Sequence, residues 1–196
     1  MMERIRRTCR GLGLALLLSA TALLLVRYRV HAVPAAGMSP LIGPGDRIVV
    51  DTWTHDAVRG DVVLVGDRAA RVAATAGSFV SCCDAAGRIL VDGLPMNAGH
   101  GAFTVKVPRD RLFLLGDDPA VLLDSREVAA AGDGTVAAGE VRGRVIAVIG
   151  SGSRASTLPD PAVRTLVWTS RVAAAGLALI LLAALPVWRR NRASCH

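Results

Sequence analysis

The stretch AAGMSPLIGPGDRIVV (35–50) reads as a backbone that turns and then extends. Pro40, Gly43, Pro44, Gly45 and Asp46 are turn formers, and the run RIVV (47–50) behind them is short, apolar and β-branched, which suits a strand. The same alternation recurs along the chain. DVVLV (61–65), RILV (88–91), RLFLL (111–115) and RVIAVI (144–149) are each bounded by Gly, Asp or Pro. No long stretch between them has helical periodicity. Five or more short strands with turn signals between them predict a mainly β, antiparallel sandwich or barrel over residues 33–156 rather than a βαβ sheet.

Two hydrophobic segments flank that region. GLGLALLLSATALLLV (11–26) is an unbroken apolar run, slightly short for a full span and extended by flanking arginines that can snorkel. It is read as an anchor over 11–30. A cleavable signal peptide is the competing reading, given the basic start and the small residues Ala35 and Ala36. The second segment runs from about Leu166 to Trp188, with Trp168 and Trp188 as interfacial aromatics, and is read as a transmembrane helix over 164–188.

The net charge of +7 is concentrated at the ends of the 196 residues. Arg4, Arg6, Arg7 and Arg10 oppose Glu3 in the tail 1–10, and Arg189, Arg190 and Arg192 lie in the tail 189–196, so almost no net charge remains between. That distribution argues against nucleic acid as a partner and for a membrane. The expected topology is two-pass in the plasma membrane, with both basic tails cytoplasmic and the β domain outside.

Several blocks keep a common order and spacing. AAGMSPLIGPGD (35–46) is followed by RGDVVLV (59–65), ARVAATAGS (70–78), SCCDAAGRILVDGLPM (81–96), LLGDDPAVLLDSREV (114–128) and VRGRVIAVI (141–149). Together they resemble the conserved blocks of the type I signal peptidase family, peptidase family S26, with a paired-cysteine insertion similar to that of members from high-GC Gram-positive bacteria. One Gly-Asp pair would be weak support; six blocks in order are strong. The resemblance implies an antiparallel β fold on the outer membrane face which, in active members, cuts signal peptides after small residues. It also implies a substrate groove along Pro34, Ala35, Ala36, Met38, Ser39 and Pro40, and a structural role for Asp117, Asp124, Ser125 and Arg126.

The same resemblance implies a serine nucleophile immediately before Met38 and a lysine base immediately before Arg71. Those positions hold Gly37 and Ala70. A nucleophile of this kind needs an adjacent base, and both are missing. The position of a serine that would orient the lysine holds Leu122. Ser39 is the one nearby hydroxyl, displaced along an extended segment by about 6.6 Å. The sole lysine, Lys106, is read as a solvated strand residue, and Arg71 cannot act as base because guanidinium stays protonated. His31, His55 and His100 are read as exposed loop residues. Cys82 and Cys83 are open to a vicinal disulfide, a bond to another protein, or placement on opposite faces of a strand, the last being preferred.

The expectation is therefore a catalytically inactive homologue that binds signal peptides or an active paralogue, with no cofactor and no metal. A peptidase using Ser39 and a non-catalytic membrane scaffold are the alternatives.

Overall fold

Gly-Asp and Asp-Gly turns divide the middle of the chain into strands. The computed structural model describes residues 2–34, 36–54, 56–118, 120–121, 124–128, 133–150 and 155–184. It contains two units, one of residues 1–26 with 164–196 and one of residues 27–163.

The second unit is built from β1 (Tyr28–Ala32), β2 (Arg47–Asp51), β3 (Val62–Val65), β4 (Arg68–Ala74), β5 (Phe79–Cys82), β6 (Arg88–Val91), β7 (Leu94–Ala98), β8 (Phe103–Lys106), β9 (Arg111–Leu115), β10 (Val136–Ala137), β11 (Val141–Ile149) and β12 (Ala155–Thr157). A larger sheet runs β1-β2-β11-β3-β4-β9-β10, with β12 also on β11, and a smaller one runs β7-β6-β5-β8. The pairings among the described residues are antiparallel. The mainly β, antiparallel fold expected from the turn spacing is the fold observed.

Both faces of the larger sheet are covered at its centre, which is why DVVLV reads as a continuous apolar run instead of alternating. Val62, Leu64 and Ala69 pack on one face with Met38, Ile42, Ile48, Val50 and Val148. Val63, Ala70 and Val72 pack on the other with Leu112, Leu114, Val136 and Val141. A register shift between Val72 and Ala74 bends β4 at its end. Ala73 and Ala74 thereby join Phe113 and Leu115 against the smaller sheet's Val80, Ile89 and Val91.

Asp51 is the polar point of this core. Its carboxylate is fully buried and accepts from Arg27 (Nε 3.0 Å, Nη2 2.7 Å), the Trp53 N–H (3.1 Å) and the Thr54 hydroxyl (2.9 Å). Burial would raise the Asp51 carboxyl; the hydrogen bonds from Arg27, Trp53 and Thr54 outweigh it and hold the group below its ordinary range. Asp84 is also held low by Arg88, Asp92 by the Phe79 N–H and Asp133 by the Thr135 N–H. A carboxyl depressed in the folded state stabilises above its unfolded value of about 3.9 and loses that contribution as pH falls through the folded value. Thermal melts of the full-length protein in detergent should therefore be flat near neutrality and drop below about pH 4. Asp51→Asn should lower the melting temperature at pH 7 and shrink that acid drop without abolishing it. An unchanged acid profile in Asp51→Asn would contradict the assignment.

The other unit pairs α1 (Met2–Arg27) with α3 (Pro161–Ala184); a short helix α2 (Ser125–Val128) lies in the β unit. α3 begins ahead of Leu166 because Asp160 accepts from the Ala162 N–H (2.6 Å) and Pro161 occupies the first helical position. The helices run antiparallel: Arg6 meets Ala183, Gly13 meets Gly176, and Ala20 lies beside Thr169. The seven-residue spacing of Gly13 and Ala20, and of Thr169, Gly176 and Ala183, makes one buried seam of small side chains. A Cβ on Gly13 would lie 2.8 Å from the Gly176 oxygen, so the two backbones touch where neither residue has a side chain. Leu12, Leu14, Leu18 and Leu25 on α1 and Leu177, Leu181 and Leu182 on α3 are exposed. Both helices are long and apolar enough to cross a membrane. The Trp188 end of the second segment lies outside the described residues.

Candidate functional site

Residues 33–46 leave the larger sheet after β1 and return into β2. The excursion is closed at its neck, where the Val33 N–H donates to the Asp46 oxygen (2.9 Å) and the Gly45 N–H to the Val33 oxygen (2.9 Å). Met38 bridges Ile42 within it, and the Ile42 N–H donates to the Met38 oxygen (2.9 Å). Met38 and Ile42 drive this tuck, being 2% and 0% exposed in the first core cluster. Gly37 is buried with them, Ser39 is half-buried, and Pro34, Ala36 and Pro40 are exposed. Ala35 lies outside the described residues. A cleft of about 520 Å³ opens on the Pro40 side, between Pro40, Leu41, Pro44 and Asp46 and the β11 to β12 segment at Val148, Gly150 and Ser156.

The Gly37 segment is fastened to the turn that follows β9. The Gly37 oxygen accepts from the Asp118 N–H (3.1 Å). Next to it, both Asp117 oxygens accept from Arg71 Nε (2.7 Å) and Nη2, while Arg71 Nη1 donates to the Gly60 oxygen (2.7 Å). The Asp117 carboxylate raises the Arg71 guanidinium above its ordinary value, so it is a clamp and no base. Lateral pairing of Arg71 with Leu115 aligns β4 with β9 and puts Ala70 and Gly37 on either side of this clamp in the chain of contacts.

At the two positions themselves there is little chemistry. Gly37 has no side chain, and its φ of 144° is one that residues with a Cβ rarely adopt. Ala70 is 5% exposed and belongs to a cluster of buried apolar residues with Val63, Val72, Leu112, Leu114, Val136 and Val141. Leu122 lies outside the described residues.

Beyond the turn, Asp124 and Ser125 are buried. Asp124 bridges Leu115 and accepts from the Arg126 N–H (2.9 Å), Nε (3.0 Å) and Nη2 (2.6 Å). The Ser125 hydroxyl donates to the Gly134 oxygen (2.7 Å). Arg126 continues to the smaller sheet, stacking its guanidinium 4.0 Å from the Phe103 ring and donating to the His100 oxygen (2.8 Å). Asp124 and Arg126 thus join the end of β9 to both sheets.

A family model for signal peptidase, peptidase S26, matches residues 5–149. The chain belongs to this signal peptidase family. No curated protein matches it. The match spans the first apolar helix and the strands through β11, so the signal peptidase blocks quoted from the sequence lie within one continuous domain match.

Several sequence expectations change on contact with the structure. Cys82 ends β5, and Cys82 and Cys83 are joined by a disulfide; the strand that would have separated them onto two faces stops one residue too early. His31 is half-buried in β1 rather than exposed in a loop, because β1 continues directly from α1 and pairs with β2. His100 is exposed, and His55 lies outside the described residues. Lys106 is the exposed last residue of β8, paired across to Phe79. The clamps were not read from sequence. Arg71 and Asp117, and Arg27 and Asp51, are far apart in the chain, and no local pattern pairs them.

Proposed function

We propose that this member of the signal peptidase family does not cleave peptides and instead binds extended chains, either signal peptides or segments of an active paralogue. The observation that carries the reading is the pair Gly37 and Ala70: the first supplies no nucleophile, and the second, a buried methyl in an apolar cluster, supplies no base. The scaffold around them is kept, with Met38 in the core, Arg71 on Asp117 and Arg126 on Asp124. An extended peptide recognises a strand or loop edge through main-chain hydrogen bonds and small side-chain pockets, neither of which needs a dyad. The exposed residues Pro34 and Ala36 offer such an edge.

In this reading the protein spans the plasma membrane twice, with the β unit outside and both tails in the cytoplasm. Supporting it, the antiparallel helix pair brings residues 6–10, in the first basic segment, beside residue 183, the part of α3 that precedes the second.

The deciding experiment is cleavage of a signal-peptide substrate by the purified full-length protein, beside a Ser39→Ala variant and an active relative. No turnover above background is expected from either form, since loss of general-base assistance alone is worth about 10² to 10⁴ in rate. Turnover that vanishes in Ser39→Ala would replace this proposal with a rearranged peptidase. Photo-crosslinking of the same peptide to the β unit tests the binding half.

A further inference from the structure

Positive charge converges where the start of α1 meets Ala183 of α3. Arg6 donates from Nε (3.2 Å) and Nη2 (3.1 Å), and Arg10 from Nη2 (3.0 Å), to a single oxygen, the carbonyl of Ala183. Ala183 is the last residue but one of the described part of α3, Pro161–Ala184. One arginine is enough to cap it. The second brings another permanent cation onto the same neutral acceptor, leaving the two guanidinium groups no more than two hydrogen-bond lengths apart.

No carboxylate among the described residues offsets them. Glu3 is the sole acidic side chain before Asp46, no acidic residue follows Asp160, and Glu3 faces Arg7 at 3.7 Å. Each guanidinium has five N–H donors in a planar fork, of which the carbonyl takes two from Arg6 and one from Arg10. Two forks side by side, with no carboxylate against them among the described residues, match a singly charged phosphodiester with several acceptor oxygens.

We propose that Arg6 and Arg10 form a binding site for the phosphodiester of an anionic membrane lipid, with the Ala183 carbonyl holding the two guanidinium groups in place. The inference rests on α1 and α3 crossing a membrane and is independent of whether the β unit cleaves or binds peptides. Basic pockets between membrane helices bind acidic headgroups in this way. Simple capping of α3 by two cations is the plainer account, and it predicts no preference among lipids.

The test is native mass spectrometry of the full-length protein released from neutral detergent with phosphatidylglycerol or phosphatidylcholine added. The wild type should retain phosphatidylglycerol at least tenfold better than phosphatidylcholine. Arg6→Gln/Arg10→Gln should lose that preference. Arg4→Gln/Arg7→Gln removes the same charge from exposed positions of the same helix turns and should keep it. Arg10→Gln alone leaves Arg6 to cap Ala183, so it reports on the site even if the first double variant fails to fold, and it should weaken retention severalfold. Equal loss in both double variants, an unaltered preference in Arg10→Gln and Arg6→Gln/Arg10→Gln, or equal protection of the wild type by inorganic phosphate would each overturn the proposal.

Discussion

Gly143→Ala is expected to destabilise the β unit severely. A Cβ at this position would lie 2.4 Å from the Asp51 oxygen and 2.8 Å from Val50 Cγ1, and φ is 153°. The clash is with backbone of the adjacent strand and cannot be relieved by a rotamer change. Overpacking costs about 1–3 kcal/mol, and a backbone conformation foreign to residues with a Cβ costs about 1–3 kcal/mol more. Against a typical stability of about 5–15 kcal/mol, that loss removes a large fraction of the whole. The site is where β11 crosses β2, with register shifts between Val141 and Gly143 and between Val145 and Ala147. Any displacement there also moves Asp51, the buried carboxylate on which Arg27 depends. Gly139→Ala is the control, because nothing lies within 4 Å of a Cβ there. Circular dichroism melts of the two variants in detergent should separate widely; coincident melts would mean that β11 and β2 do not approach as described.

Restoring both missing groups should produce the largest change in activity. Gly37→Ser alone should stay inactive, because a hydroxyl without a neighbouring base is a weak nucleophile. Ala70→Lys alone should also fail. The pair Gly37→Ser/Ala70→Lys should begin to cleave a signal-peptide substrate, exceeding Gly37→Ser by about 10² to 10⁴. The surroundings of Ala70 favour this outcome chemically: an ammonium among Val63, Val72, Leu112 and Leu114 is desolvated, which pushes a lysine toward its neutral, basic form. The same surroundings oppose it energetically. The lysine needs room that a methyl now fills, and the serine must accept a φ of 144° or shift the loop. Folding of each variant is therefore measured first, and Leu122→Ser is added to give the lysine a polar neighbour. A folded triple variant that leaves the substrate of an active relative uncut would show that the groove has been remodelled along with the dyad.

The strands were legible because their causes are local. RIVV (47–50), RILV (88–91) and RLFLL (111–115) are strands within the bounds their composition suggested, since turn residues on either side end them. The two helices were legible for the same reason. The vicinal disulfide was one of three readings left open but not the preferred one, because a one-residue difference in where β5 stops decides whether Cys82 and Cys83 face apart or join.

Sequence by itself determined the class of this protein, with apolar helices at both ends, antiparallel strands between and signal peptidase blocks in order, and its resemblance pointed to Gly37 and Ala70 as the dyad positions. These depend on residue type and short-range spacing, which the chain carries openly. Tertiary structure decided what surrounds those positions. Only folding brings Asp118 to the Gly37 carbonyl, Asp117 to Arg71, the aliphatic cluster around Ala70 and two arginines to Ala183. Each of these contacts joins residues distant in sequence, and its partner is chosen by sheet register and helix packing, which no local pattern encodes.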